Sequence, residues 1–169
     1  SKFQVILSMN STTSFSVIAP AKLNLFLHIN ARRDDGYHEL ETLFTFLNFG
    51  DTLHFELTND ASISITGDTK DIPLSDNLIY KAALLLQTHS KTLYGVKINL
   101  TKRLPMGGGV GGGSSDAATT LLALNKMWGL DLNLTILGKL GLQLGADVPV
   151  FIQGQSAIAH GIGEQLHHV

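Results

Sequence analysis

A run of glycine between a predicted strand and a predicted helix constrains this chain most strongly. Six of the seven residues from 107 to 113 are glycine, and Val110 is the exception. The alternating segment 96–100 before the run is typical of a strand, and the Ser-Ser-Asp sequence at 114–116 after it is typical of a helix start. Glycine lets backbone N–H groups turn toward an anion, and a helix N-terminus adds unpaired donors. We therefore expect a phosphate-binding loop, because a flexible surface loop rarely leads straight into a capped helix.

Two common phosphate-binding motifs do not fit this sequence. The only Gly-Lys pair, Gly138-Lys139, is followed by Leu140 inside a helical pattern, which excludes a Walker-type loop. The spacing Gly-x-Gly-x-x-Gly of a dinucleotide-binding fold occurs from residue 107 to residue 112, but a glycine run matches almost any glycine pattern. That fold also needs a second strand ending in an acidic residue, whereas Asp131 leads into another helical segment.

The composition favours one globular domain that acts on a small molecule. The chain has 169 residues, of which 44% are hydrophobic and 15% charged, and its net charge is -2. This charge provides no basic field for a nucleic acid. Cysteine is absent, which removes disulfides and thiol chemistry, and no apolar run approaches the roughly 20 residues that a membrane span needs. The sequence thus predicts a cytoplasmic protein with no nucleic-acid or membrane partner.

The periodicity predicts strands first and helices later, which is an α+β domain of packed layers. Strands are expected at 15–29, 43–47, 51–57, 63–66, 96–100 and 156–159. A polar turn is expected at 32–36, and a link between two strands at 48–50. Helices are expected from 78 to about 89, from a cap at 114–116 to 128, and from a cap at Asn133 to about 144.

Four segments together resemble the GHMP kinases, a family named for galactokinase, homoserine kinase, mevalonate kinase and phosphomevalonate kinase. Residues 104–118 carry Leu-Pro-Met-Gly-Gly-Gly-Val-Gly-Gly-Gly-Ser-Ser-Asp-Ala-Ala, which resembles the phosphate loop of that family. Residues 19–27, 35–40 and 144–151 narrow the resemblance to members of the non-mevalonate isoprenoid pathway. These members use ATP with Mg²⁺ to phosphorylate the 2-hydroxyl of a cytidine-diphosphate-linked methylerythritol, so the resemblance implies that activity.

The resemblance implies a reacting pair formed by Lys22 and Asp147. Alone, an aspartate before Val-Pro is more often a turn or helix cap, and a strand lysine is more often solvated. Only the family pattern indicates that Asp147 is a catalyst. For Lys22, the apolar neighbours Leu23 and Leu25 favour a position in a cleft even without the family pattern. In the implied roles, Asp147 takes the hydroxyl proton and Lys22 holds Asp147 ionised.

The binding residues also follow from the resemblance. Asn24 would hold the methylerythritol hydroxyls, Tyr37 would stack on the cytosine and His38 would read its edge. Adenine would be surrounded by Asn77, Leu78 and Lys102. The triphosphate site would comprise Pro105, Met106, Gly107, Gly108, Gly109, Val110, Gly111, Gly112, Gly113, Ser114, Ser115 and Asp116. The histidines show no metal-ligand spacing, so no protein metal site is assigned.

The fold implied is the GHMP kinase N-terminal domain, which resembles domain 2 of ribosomal protein S5 and contains a left-handed βαβ crossover. Residues 1–14 match nothing in the family, and residues 15–169 would form this domain. The family continues into a ferredoxin-like second domain that this sequence lacks, so a fragment without kinase activity of its own is expected, as a monomer or homodimer. Another GHMP kinase, of the homoserine or mevalonate type, is the nearest alternative. An S5-like RNA-binding module is a further one, although it would want a basic face.

Overall fold

In the part of the chain that the structure describes, four helices accompany one four-stranded mixed sheet. The computed structural model describes the backbone of residues 13–32, 38–104 and 112–167, and the side chains in these ranges except at 23–45, 48 and 158–167. The strands are β1 (Ser14–Arg32), β2 (His38–Thr58), β3 (Ile63–Gly67) and β4 (Gly95–Thr101). The helices are α1 (Leu78–Ser90), α2 (Gly112–Met127), α3 (Leu134–Leu144) and α4 (Val148–His167). The predicted α+β class is confirmed.

The sheet order is β1-β2-β4-β3. Strands β1, β2 and β4 pair antiparallel in turn, and β3 pairs parallel with β4. Helix α1 lies in the chain between the two parallel strands and so forms the crossover of a βαβ unit. The left-handed crossover, the division at residue 14 and the domain 15–169 stay predictions.

Strand β2 is one continuous element, so the predicted link at 48–50 between two strands is wrong. Gly50 pairs with Pro20 of β1, and a Cβ on Gly50 would overlap the carbonyl oxygen of Ala19. The glycine therefore marks a close approach of two backbones and does not mark a turn. The polar turn predicted at 32–36 falls mainly on residues 33–37, outside the described residues.

The predicted start of α1 is confirmed. The Oδ1 atom of Asn77 accepts hydrogen bonds from the backbone N–H groups of Ile79 and Tyr80, at 2.9 and 3.4 Å. Such a cap satisfies donors that have no partner within the helix. The helix ends at Ser90, and the cap residue Lys91 that follows has a φ of 57°, in the left-handed region. Helix α1 buries its apolar face with Ile79, Ala82, Ala83 and Leu86.

Helix α2 is the central helix of the domain. Its side chains at 117, 121 and 124, together with Trp128 just beyond its end, are buried, as their predicted spacing on one face requires. The indole N–H of Trp128 donates to the carbonyl of Gly95 and ties the end of α2 to the start of β4. The prediction that Ser114, Ser115 and Asp116 cap the helix is wrong, because α2 already includes Gly112. The hydroxyl of Ser115 and the carboxyl of Asp116 instead bond to neighbouring elements.

The last two helices pack against α2 and against each other. Asn133 caps α3 as predicted, accepting from the backbone N–H of Ile136 at 2.9 Å. The short strand predicted at 156–159 is wrong, since α4 runs through these residues. Val148, Phe151 and Ile152 are buried at the spacing of one helix face, and this packing favours a helix over a strand here.

No helix in the described ranges combines the length and apolarity that a membrane crossing would need.

Candidate functional site

The structure brings Lys22 and Asp147 together. Lys22 follows an irregularity in the pairing of β1 with β2, and its side chain is 14% exposed. Its Nζ atom lies 5.8 Å from the ring centroid of Phe151 and 3.9 Å from Oδ2 of Asp147. Asp147 directly precedes α4, and its carbonyl oxygen accepts from the backbone N–H groups of Val150 and Phe151. Its side chain is 60% exposed, so the carboxylate faces solvent beside a largely covered ammonium group.

A buried hydrogen bond connects this pair to the start of α2. The hydroxyl of Ser115 donates to the carbonyl oxygen of Pro20 at 2.6 Å, two residues before Lys22. Ser114, in the same turn, has its Oγ 3.9 Å from the point where a Cβ on Gly145 would stand. The first turn of α2 thus lies close to the chain on both sides of the Lys22–Asp147 pair.

Two predicted adenine-site residues also meet the first turn of α2. A Cβ on Gly113 would stand 3.3 Å from Cδ1 of Leu78, and one on Gly112 would stand 3.4 Å from Nζ of Lys102. Larger residues at either position would crowd these side chains. The oxygen of the Asn77 carboxamide is committed to capping α1, so a contact from Asn77 to a ligand would come from Nδ2.

Lys102 lies in a cluster with two buried carboxyl groups. Its Nζ is 2.8 Å from Oδ2 of Asp51 and 3.4 Å from Oδ2 of Asp116. Asp51 is completely buried, and its Oδ1 accepts from the backbone N–H groups of Arg103 and Leu104 at 2.7 and 2.9 Å. The other oxygen of Asp116, Oδ1, is buried and has no hydrogen-bond partner.

The cluster shifts the pKa of each of its members. Burial, reinforced by the neighbouring Asp51, raises the pKa of Asp116 to about 8. Burial opposes ionisation of Asp51, but hydrogen bonds from Asp116, Lys102 and the two amides lower its pKa below the ordinary value. Burial also opposes the charge of Lys102, yet the two carboxyl groups together raise its pKa. The cluster therefore holds one ammonium and one carboxylate, with Asp116 largely protonated at neutral pH.

An open surface cavity lies beside this cluster. Its volume is about 560 Å³, and it is lined by residues 67–70 and 102–104, which include Lys102. The cavity opens where β3 and β4 both end, next to the chain that leads into residues 105–111. Its size is that of a small-molecule pocket.

Several predicted site residues cannot be placed. Two parts of the predicted site lie outside the described residues. They are Tyr37 and the loop residues Pro105, Met106, Gly107, Gly108, Gly109, Val110 and Gly111. Asn24 lies in β1 opposite Phe44, and His38 opens β2 opposite Arg32, but their side chains are outside the description.

Comparison with known proteins identifies the family. The model of the GHMP kinases N terminal domain matches residues 77–155. A curated relative from Pseudoalteromonas translucida (strain TAC 125), named 4-diphosphocytidyl-2-C-methyl-D-erythritol kinase, is 76% identical over 95% of this chain and 57% of its own. The chain belongs to the GHMP kinase family. A crystal structure titled 4-(cytidine 5'-diphospho)-2C-methyl-D-erythritol kinase shares 42% identity and a TM-score of 0.67 over 83% of this chain.

The GHMP kinase fold extends to more distant members. A homoserine kinase from Cytophaga hutchinsonii shares 19% identity and a TM-score of 0.57 over 81% of this chain and 42% of its own, which shows the common fold alone. The chain spans about half the length of the curated relatives it matches, and 49% of the crystallised relative. The matched family segment contains the start of α2, Lys102 and Asp147, but it does not include Lys22 or Asp51.

Asp51 is the member of this GHMP kinase site that sequence reasoning missed. The sequence suggested only that Asp51 begins a strand after a turn. The sequence did contain a clue to its role. A charged residue next to the alternating apolar residues of β2 must either be exposed or be paired with an opposite charge. Lys102, just after the neighbouring strand, is the cation that it finds.

Proposed function

We propose that the protein phosphorylates the 2-hydroxyl of 4-diphosphocytidyl-2-C-methyl-D-erythritol with ATP. The 76% identical relative carries the name of that kinase, and the crystallised relative at 42% identity carries the equivalent title. The single observation in this chain that best supports kinase chemistry is the Lys22–Asp147 pair beside the first turn of α2. The activity is proposed for the full-length protein, because these relatives are about twice as long as this chain.

The start of α2 is proposed to receive the triphosphate. The positive end of a helix attracts anions, and residues 105–113 supply glycines whose amides can surround phosphate oxygens. Ser114 and the ammonium of Lys102 lie at the same turn. The adenine and ribose are proposed to lie between Asn77, Leu78 and the cavity beside Lys102, since this cavity adjoins the loop at its N-terminal end.

The Lys22–Asp147 pair is proposed to carry the chemical step. The acceptor hydroxyl gives its proton to Asp147 as its oxygen bonds to the γ-phosphorus, and the bond from that phosphorus to ADP breaks. The carboxylate is exposed enough to reach a bound hydroxyl, and the ammonium of Lys22 lies 3.9 Å from it. Lys22 would also stabilise negative charge on the transferring group.

The described residues fit a Mg²⁺ ion that is held mainly by the nucleotide. They contain no group of three or more His, Asp or Glu side chains that could enclose a metal. Mg²⁺ in kinases needs no such group, because phosphate oxygens and water provide most of its ligands. The unpartnered Oδ1 of Asp116 and the hydroxyl of Ser114 fit the remaining role and are proposed to hold the ion, with Asp116 giving up its proton as the ion binds. When bound, Mg²⁺ would neutralise charge on the triphosphate.

The acceptor is proposed to extend along the β1–β2 pair. Asn24 would contact the methylerythritol hydroxyls, and Tyr37 and His38 would bind the cytosine. The antiparallel register supports this arrangement, since β1 and β2 run together from Pro20 and Gly50 to the pairing of Arg32 with His38. The crossover β3–α1–β4 is proposed to be left-handed, as in domain 2 of ribosomal protein S5.

Replacement of Asp147 by Asn in the full-length protein tests the proposal. The amide keeps the shape of the side chain but cannot accept a proton, so we expect kcat to fall about 10²–10⁴-fold. The Kd of a non-hydrolysable ATP analogue should change less than twofold. The readouts are coupled ADP release with 4-diphosphocytidyl-2-C-methyl-D-erythritol as acceptor, and calorimetry.

The matched control is Asp131→Asn, which changes an exposed aspartate between α2 and α3. Its φ of 55° suits asparagine as well as aspartate. The control should keep the parent activity. A kcat for Asp147→Asn within threefold of the parent would show that this carboxylate is not the base, and no ADP release by the parent would contradict the proposed activity.

A further inference from the structure

Asp51 uses both of its carboxylate oxygens on residues that follow β4. Oδ2 pairs with the ammonium of Lys102, and Oδ1 accepts from the backbone N–H groups of Arg103 and Leu104. Strand β4 ends at Thr101, so these two amides lie beyond the ladder of the sheet. One buried side chain of β2 therefore replaces the sheet as the hydrogen-bond partner of the next residues.

These residues are one end of the predicted phosphate loop, and the other end lies beside them. A Cβ on Gly112, which begins α2, would stand 3.4 Å from both Nζ of Lys102 and Cβ of Leu104. Asp116, one turn further along α2, approaches the same ammonium at 3.4 Å. The two described ends of the segment 105–111 thus meet at the group formed by Asp51, Lys102 and Asp116, here called the loop clasp.

Stability alone does not explain a carboxylate at this place. Burying a charge is costly, and a well-packed apolar side chain often serves a core equally well or better. An apolar residue, however, could not accept from two successive amides and also direct an ammonium group. A carboxylate has two acceptor oxygens, so it can fix the backbone at 103–104 and the side chain of Lys102 at the same time.

We propose that Asp51 is a positioning residue for nucleotide binding, which sets both ends of the phosphate loop and aims Lys102 toward the triphosphate. The inference rests on the proposed function, since it assumes that the loop and Lys102 receive ATP. Asp51 itself is too deeply buried to touch the nucleotide. Its removal should weaken ATP binding while leaving the proposed acceptor site unchanged, because the residues of that site, Asn24, Tyr37 and His38, lie at least thirteen residues from Asp51 in the chain.

The experiment compares Asp51→Ala and Asp51→Asn in the full-length protein. Asn keeps an oxygen for the two amides but loses the charge that holds Lys102, whereas Ala loses both. We expect the Kd of a non-hydrolysable ATP analogue to rise at least tenfold for Asp51→Ala and by about threefold for Asp51→Asn. The Kd of 4-diphosphocytidyl-2-C-methyl-D-erythritol should stay within twofold. Calorimetry measures both constants without catalysis.

Leu53→Ala provides the control for a merely structural effect. Leu53 is on the same strand, fully buried in the core and outside the loop clasp. Its truncation should lower the melting temperature at least as much as the Asp51 variants do, with both Kd values unchanged at a temperature where all the proteins are folded. If Asp51→Ala does not fold, the threefold change in Asp51→Asn decides.

Three outcomes separate the hypotheses. Nucleotide binding within 1.5-fold of the parent for Asp51→Asn and within twofold for Asp51→Ala would overturn the positioning role. Equal weakening of both ligands, or the same weakening in Leu53→Ala, would also overturn it, because the effect would then be general loosening of the fold. A parent protein that fails to bind the ATP analogue would contradict the proposed function itself.

Discussion

Replacement of Lys102 by Met should destabilise the protein far more than loss of an ordinary lysine does. The variant keeps the length of the side chain and removes the only positive charge that faces Asp51 and Asp116 within the loop clasp. At an effective dielectric constant of about 20, unit charges separated by the 2.8 Å between Lys102 and Asp51 attract by about 6 kcal/mol. Desolvation offsets part of this attraction, and removing one partner of a buried pair typically costs about 3–5 kcal/mol.

We expect a loss near the lower end of that range, about 3 kcal/mol at pH 7. The Lys102 side chain is 14% exposed, so in the variant water can partly solvate the charge of Asp51. Asp116 adds little at this pH, because burial raises its pKa to about 8 and it is mostly uncharged. The melting temperature should fall by roughly 6–12 °C.

Lys97→Met is the matched control. Lys97 is exposed in β4, five residues before Lys102, so its replacement should change stability by less than about 0.5 kcal/mol. Urea titration and thermal unfolding of both variants and the parent measure the difference. Equal effects of the two substitutions would refute the view that Lys102 neutralises a buried charge.

Three further substitutions test other parts of the structure. Asp116→Asn should gain stability relative to the parent as the pH rises. The pKa of Asp116 is raised to about 8 in the folded state, so protonated Asp116 stabilises the parent protein most below pH 4. This contribution is lost as the pH rises toward 8, and the loss between pH 5 and pH 8 is up to about 4 kcal/mol. Urea titrations at the two pH values check this, and parallel curves for parent and variant would contradict the raised pKa. Gly154→Ala should destabilise the protein by about 1–3 kcal/mol, since the new Cβ would overlap the ring of Phe46. Gly138→Ala should stabilise it by about 0.5–1 kcal/mol, because the position in α3 has open space for a Cβ. Thermal melts that rank the two alanine variants the other way would contradict the packing of α4 on β2.

Local chemistry made much of this fold predictable from sequence. Asn77 and Asn133 are capping residues directly before apolar helical spacing, and both helices begin where the sequence places them. The short strands at 63–67 and 95–101 were likewise visible from alternation. These elements depend on neighbours in the chain, which a single sequence reports well.

The errors occurred where distant contacts decide the conformation. Gly50 looked like a turn residue, but its fit against Ala19 across the sheet keeps β2 extended. The segment 156–159 looked like a strand, yet α4 continues through it because its preceding turns are anchored in the core by Phe151 and Ile152. Ser115 looked like a cap, whereas its hydroxyl reaches Pro20, far away in sequence. Each contact becomes visible only when the tertiary structure brings the partners together.

The candidate site divides in the same way. The resemblance to GHMP kinases suggested the pairing of Lys22 with Asp147, and the structure places the two charges 3.9 Å apart. The roles of these residues stay predictions until they are measured. No local pattern pointed to Asp51, because its partners lie about fifty residues later in the chain.

The uninterrupted length of β2 restricts how this chain can change its length. The strand runs from His38, which is proposed to meet the cytosine, to Asp51 of the loop clasp and beyond. Successive residues of a strand point to opposite faces, so one inserted or deleted residue between these two positions would turn one of them to the wrong face. A loop could absorb such a change easily, whereas this paired stretch could do so only with a new bulge or at one of the three places where the register of β1 and β2 already shifts. We therefore expect functional variants to accept substitutions between residues 39 and 50 but very few single-residue insertions or deletions.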